Sequence, residues 1–345
     1  ECVIIGGGII GLAIAAKLAK QGLAVIVLEA EKQTIQHASS HNSEVIHSGI
    51  YYKPDSLKAR QASRQISRSW QMGSFSSLST GHDSTLPDYD PQVQPGASDG
   101  ERSFFTFPRG ARAGTCLHRI FELIDFRDDS SSGRSDIVQQ VLGEYGFEDD
   151  WTSVITSMLQ RVLNVPLNDE GLHLGTLARC DRVDEMAFCY PVDGLDASRW
   201  RDVLSRHAQG LHPAIAAGLH DAGFDPLNGF MRGFIDLVFV SGDKFFLADY
   251  KSNYLGGDLA DYGDTALDAA MHQSAYTLQY LIYSLALHRW LRSRIDDYHY
   301  DQHFGGVYYL FLRGMHPDHP GSGVFFDRPE GSLIGDLDAL VGSNR

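Results

Sequence analysis

The sequence is short of cysteine, of basic charge and of long apolar runs, and each shortage removes a class of protein. Four cysteines in 345 residues, Cys2, Cys116, Cys180 and Cys189, form no C-x-x-C pair. That argues against a zinc ribbon or a disulfide framework and fits a reducing, cytoplasmic compartment. The thiols are expected to be free and mostly buried. No stretch reaches the length of apolar sequence that a membrane span needs, so no membrane association is expected. The apolar start is broken by Gly6, Gly7 and Gly8 and has no basic leader, which is not the pattern of a signal peptide. The chain begins at Glu1 without a Met and reads as a fragment or a trimmed product. Basic residues number 29 against 44 acidic ones, for a net charge of −15. The imbalance is uneven, with +1 over residues 1–62 and −16 over the remainder. So acidic a body binds a phosphate backbone poorly unless the strand is delivered to it or metal ions offset the charge.

What is present has two characters. Residues 2–5 and 24–28 read as short buried strands flanking an Ala/Leu/Lys-rich helix from Ile10 to Gln21 that ends at Gly22. Residues 37–52 have no clear period and read as loop. From about Lys53 to Arg102 Ser, Pro, Asp, Gly and Gln dominate, the composition of a linker. Beyond it, residues 115–124, 151–163 and 197–208 have helical spacing, and 185–190, 230–240 and 244–250 read as strands. Ser241-Gly242-Asp243 marks a hairpin between the last two. A long helix near 266–292 and strands at 305–313 and 323–327 complete an α/β or α+β core with a mixed sheet. The expected division is a truncated unit at 1–62, a linker at 63–103 and a main domain at 104–345.

In the first piece, Gly6-x-Gly8-x-x-Gly11 follows a strand and opens a helix, and Glu29 ends the next strand. Such glycines let a pyrophosphate approach a helix N-terminus, and the acid receives ribose hydroxyls. With SSHNSEVIHSGIYY, these residues resemble the N-terminus of the FAD-dependent oxidoreductases that include L-2-hydroxyglutarate oxidase, over roughly residues 1–60. The resemblance implies a Rossmann-type βαβ unit, with His41 and Asn42 close to a flavin. One such unit buries too little surface to hold a cofactor firmly, so FAD is not expected to be retained.

In the second piece, GFIDLVFVSGDKFFLADYKSN places Asp236 mid-strand and Asp249 and Lys251 at the end of the next strand. Asp249 and Lys251 are two apart and share one strand face, and the hairpin brings Asp236 beside Asp249. Solvated strand ends often carry such triplets. These carboxylates lie instead in very apolar surroundings, where they must be paired or metal-bound. Two converging carboxylates make an oxygen site suited to Mg²⁺ or Mn²⁺, and a nearby lysine can orient water or stabilise phosphate charge. Gln279 and Tyr283 lie four apart on one helix face, which reads equally as helix packing.

The stretches RSWQMGSFSSLS, FPRGARAGTCLHRIFE, GFIDLVF, LADYKSN, YTLQYLIYSLALHRWL and HFGGVYYLFLRGM run in order from about Ser69 to the end. They resemble the C-terminal nuclease domain of the RecB family, the β subunits of exodeoxyribonuclease V. The resemblance implies a restriction-endonuclease-like, PD-(D/E)xK core within the α/β class. It makes Asp236, Asp249 and Lys251 catalytic. His118, Asp236, Asp249 and the carbonyl of Tyr250 become metal ligands, Gln279 and Tyr283 lie near the substrate, and Glu185 is supporting. It also implies DNA, RecC, RecD and RecA as partners. No Walker A loop occurs, so ATP-driven unwinding is not expected. Other readings are an oxidoreductase of 2-hydroxy acids, resting on the first piece alone, and a non-catalytic interaction module.

Overall fold

The computed structural model describes residues 2–5, 9–20, 22–28, 71–74, 102–128, 131–217, 224, 226–273 and 276–342. The chain divides into two compact units, Glu1–Arg68 and Ser69–Arg345.

In the first unit β1 (Cys2–Ile5) and β2 (Val25–Leu28) pair in parallel around α1 (Ile9–Lys20), with Cys2 opposite Val25 and Ile5 opposite Leu28. Gly22, at φ +80°, turns the chain out of the helix, a conformation that costs glycine little. The βαβ order is the expected one. Gly11 lies near the start of α1, whereas Gly6, Gly8, Glu29, His41 and Asn42 lie outside the described residues. Val3, Ile26 and Leu28 are exposed.

The second unit begins with β3 (Gln71–Gly73), inside the stretch that composition marks as linker. Here packing overrides composition. Gly73 is buried against Leu227, close enough that a Cβ would collide with that side chain. Three helices follow: α2 (Ala111–Leu123), α3 (Ser131–Glu144) and α4 (Thr152–Leu163). In α2, Ala113, Cys116, Leu117, Ile120 and Phe121 recur at helical spacing and are all buried. Next come β4 (Arg182–Leu195), α5 (Ala197–Arg206) and α6 (Pro213–Ala217). Asp196 caps α5 by accepting from the Ser198 and Arg199 amides. β5 (Leu227–Ser241) turns through Gly242 and Asp243 into β6 (Lys244–Lys251). Gly242 has φ +59°, as a two-residue hairpin turn requires.

The long helix expected near 266–292 is described as two, α7 (Asp264–Gln273) and α8 (Tyr276–Arg292). The chain ends with α9 (Tyr300–His303), β7 (Phe304–Phe311), β8 (Val324–Asp327) and α10 (Gly331–Leu340).

The sheet runs β3-β5-β6-β7-β8, and β4 also pairs with β5. β6 and β7 are parallel, joined through α7 and α8, and β7 is buried along its whole length. Alternate residues feed two cores. Leu247, Val307 and Tyr309 face α5, α7, α8 and α10. Phe246, Ala248, Tyr250 and Tyr308 face α2, α3 and α4. The four cysteines are free, but Cys180 and Cys189 are exposed rather than buried. Cys189 falls on the solvent side of β4 by simple alternation. No helix among the described residues is long and apolar enough to cross a membrane.

One buried ion cluster ties α10 to α8. Asp338 lies 2.5 Å from Arg289 Nε and 2.6 Å from Arg292 Nη1. Burial raises the Asp338 carboxyl, but the bonds from both arginines outweigh it and hold the group below its ordinary value. Asp338→Asn is expected to destabilise the larger unit by about 2 kcal/mol in urea unfolding. A depressed carboxyl stabilises the fold above its unfolded pKa, and the contribution fades as pH falls through the folded value, so the variant and parent should converge in acid, below about pH 4.

Candidate active site

β5 has to serve both cores, and it changes allegiance at one place. Ile235 packs against the α8 side, while Leu237, two residues on, packs against the α2 side. In an unbroken strand those two would share a face. The opposite strand switches at the same level. Asp184 pairs with Leu237 and Met186 with Ile235, while the intervening Glu185 and Asp236 drop out of the ladder. Glu185 has φ +50°, the one positive value for a non-glycine among the described residues. Such a conformation costs an L-residue roughly 1–2 kcal/mol and is found where surrounding structure enforces it.

Among the described residues, the other edge of β5 is also interrupted here. β3 pairs with it as far as Met231, and β6 joins only from Leu237. Asp236 sits at the fork. Its Oδ2 accepts the Tyr250 amide at 2.8 Å and lies 3.5 Å from His118 Nδ1. His118 comes from α2, and its Nε2 donates to the Tyr250 carbonyl at 2.9 Å. With Nε2 used as donor, Nδ1 is left facing the Asp236 carboxylate. His118, Glu185 and Asp236 each present a ligand atom within 4.8 Å of the others, a set able to hold a metal ion.

Asp249 and Lys251 share the α8 face of β6, as the spacing predicts, and each is only 2% exposed. Lys251 Nζ lies 2.5 Å from Asp249 Oδ2, donates to Gln279 Oε1 at 3.2 Å and sits 4.0 Å from the centre of the Tyr276 ring. Gln279 in turn donates to the Tyr283 hydroxyl and accepts from that of Tyr309, each at 3.2 Å. The Gln-x-x-x-Tyr pair therefore holds the lysine rather than decorating the helix surface. The Tyr250 side chain points the other way and stacks on Phe121, with ring centres 4.3 Å apart. That contact fixes the carbonyl that His118 reaches.

Arg313, just past β7, clamps the two sides. It is 3% exposed and donates to the carbonyls of Ser252, Phe104, Phe107 and Pro108. The residue after Lys251 is thereby bound to the segment that leads into the His118 helix. Sequence reasoning missed Arg313 because nothing in its local pattern signals a cluster of backbone carbonyl partners. It gave Glu185 a lesser place because a register match across distant strands is not visible in a single sequence.

Electrostatics reflect crowding. Burial, reinforced by the Asp249 carboxylate, pushes Asp236 up to about 7 against the pull of His118 and Lys251. Burial likewise raises Glu185, partly offset by His118. Carboxylates that resist ionising together are what a bound cation relieves.

A half-buried carboxylate–imidazole cluster at a forked mixed sheet, with an occluded lysine beside it, defines the larger unit as an α/β protein with a candidate metal-dependent active site. The chain is similar to RecBCD enzyme subunit RecB of Escherichia coli K12, 39% identical over 291 residues, covering 82% of this chain and 24% of that protein. It is 37% identical to the RecB subunit of Haemophilus influenzae over 314 residues, or 84% of this chain and 25% of that one. The Mycobacterium tuberculosis H37Rv RecB subunit is 30% identical over 337 residues, 84% of this chain and 30% of that one. The chain thus spans about a quarter of the length of the first two. Residues 1–84 match the FAD dependent oxidoreductase family, so the likeness runs beyond the sixty or so residues read from the motif.

Two outcomes follow from the site. A carboxyl raised by the fold adds stability below its unfolded pKa and loses it as pH climbs through the folded value. The metal-free protein in EDTA should therefore melt at lower temperature near about pH 8 than near about pH 5, and Asp236→Asn should flatten that dependence. Glu185→Gly removes both the conformational strain and a buried acid. It should raise metal-free stability by about 1 kcal/mol in denaturant unfolding while weakening Mn²⁺ binding measured by calorimetry.

Proposed function

We propose that residues 69–345 are a metal-dependent deoxyribonuclease module of RecB type. It is built on a restriction-endonuclease-like, PD-(D/E)xK core and hydrolyses DNA phosphodiester bonds in recombinational double-strand-break repair. The observation that carries this reading is the convergence of Asp236, Glu185 and His118 at the β5–β6 fork beside the Asp249–Lys251 pair. Similarity to RecB subunits over about four-fifths of the chain supports it.

The donor set fits a hard divalent cation with room for an imidazole, and Mg²⁺ or Mn²⁺ is the proposed occupant. Asp236, Asp249, His118 and the Tyr250 carbonyl would hold it, with Glu185 alongside. When bound, the ion supplies an acidified water and positive charge near the phosphate. The chain supplies the rest. Lys251 presents an ammonium to the developing negative charge on phosphate oxygens, an interaction strengthened where water is excluded. Gln279, backed by Tyr283 and Tyr309, fixes where that ammonium points. DNA is the proposed substrate, RecC and RecD type subunits are the proposed partners, and RecA is a further one on the sequence resemblance. The FAD-type leader is proposed to be vestigial. A preparation that is colourless near ~450 nm would agree, because flavin absorbance belongs to the cofactor itself.

Purified chain should degrade linear single-stranded DNA with Mg²⁺ and stop in EDTA. Lys251→Ala and Asp249→Ala should each lower the rate by about 100-fold or more, comparable to removing one transition-state contact. Mg²⁺-dependent cleavage that survives Asp249→Ala unchanged would reject the assigned site.

A further inference from the structure

Beyond Asp236, alternate residues of β5 run outward as Phe234, Arg232 and Phe230. Ile235 is turned into the α8-side core, so Phe234 points to the opposite face, where no helix of the described residues covers it. It is 59% exposed, the most exposed large apolar side chain among the described residues of the larger unit. Arg232 is exposed, and no acidic partner engages it among the described residues. The facing strand is equally open: Ala187 lies opposite Phe234, Cys189 opposite Arg232 and Pro191 opposite Phe230, and all three are exposed. These six positions contain no carboxylate, in a chain whose net charge is −15.

We propose that this face is a binding track for single-stranded DNA, with Phe234 stacking on a base next to the scissile phosphate and Arg232 meeting the backbone. The inference rests on the nuclease reading for its substrate class, and extends it to residues outside the metal and lysine cluster. An aromatic beside a cation is the chemistry that binds unpaired bases without regard to sequence. The aromatic selects the strand state. A base can stack on Phe234 only if it is not already stacked between its neighbours, which an unpaired strand allows and a duplex interior does not. The small residues on β4 leave the aromatic face open to a base. The track also begins one step from Asp236, so a base stacked on Phe234 brings its own phosphate to the metal ligands.

The test uses the full chain and a fluorescein-labelled oligothymidylate, with anisotropy read in EDTA so that no bond is cut. Phe234→Ala should weaken binding about fivefold or more, as loss of one stacked base does. Phe234→Trp should restore it, and Arg232→Gln should reduce the salt dependence by about one phosphate contact. Both positions are exposed, so melting temperatures should stay at the parent value. In a Cys180→Ser background, the oligonucleotide should also slow alkylation of Cys189. Equal affinity of Phe234→Ala, Arg232→Gln and parent overturns the track and assigns the face to another use, such as protein docking. Failure of the parent to bind oligothymidylate overturns it too. Because binding is read without catalysis, absent Mg²⁺-dependent cleavage would sink the nuclease reading separately, whatever the anisotropy shows.

Discussion

The larger unit depends on one geometrical concession, the loss of alternation where Glu185 faces Asp236. A regular ladder would send every second side chain of β5 to one core and leave no carboxylate between them. By breaking step, the pair turns a strand interior into a junction that faces neither core. The cost is a left-handed glutamate and, among the described residues, a gap in the β5 edge between Met231 and Leu237. The gain is that an acid from the middle of a strand meets a histidine from a helix and the end of the neighbouring strand. Other parts hold that junction open. Tyr250 stacks on Phe121 to fix one carbonyl, and Arg313 gathers the carbonyls on either side of it.

Charge explains why so much buried material surrounds the junction. Burial first, and then repulsion from the Asp249 carboxylate, push Asp236 up to about 7. Lys251 answers part of this, but an ammonium that is 2% exposed must itself be compensated. Asp249, the Gln279 carbonyl and the Tyr276 ring surround it on the α8 side. The nearly complete burial of α8 follows from this duty. A helix with a single apolar stripe could not wall off the lysine, so its polar residues Gln279, Ser284 and Arg289 are spent inside.

The legibility of the sequence follows the same division. Strands β5, β6 and β7 are readable because their apolar runs and hairpin turn are local, and Asp249 and Lys251 share a face by period alone. Gln279 and Tyr283 are readable as a spacing, though only three-dimensional contact shows that they serve the lysine. Helices α3 and α10 were not anticipated: Ser131–Glu144 begins with serines and a glycine, and Gly331–Leu340 contains two glycines. Both owe their helicity to packing. The strand β3 was hidden for the same reason, since Gln-Met-Gly pairs with β5 only because Leu227 waits to cover the glycine. Glu185 is the hardest case. Its importance lies in a register set by fifty intervening residues and in a backbone angle that no side-chain pattern announces.

Acidity finally decides how such a site can meet a polyanion. With −16 on residues beyond the first 62, long-range attraction cannot gather DNA, and a field of that sign opposes its approach. Recognition has to be short-ranged. On the proposed reading it would come from a cation at the junction, from the lysine held beside it and from contacts that ignore charge. Base stacking is the strongest contact of that kind, and Phe234 is the exposed aromatic placed one strand step from Asp236. Arg232, two residues further out on the same face, supplies a local positive charge where a global one is absent. If the proposed nuclease role holds, an acidic body with a small aromatic and basic track would favour a strand that is already unpaired over duplex. On that reading, the acidity that opposes bulk binding would act as a filter at the proposed site.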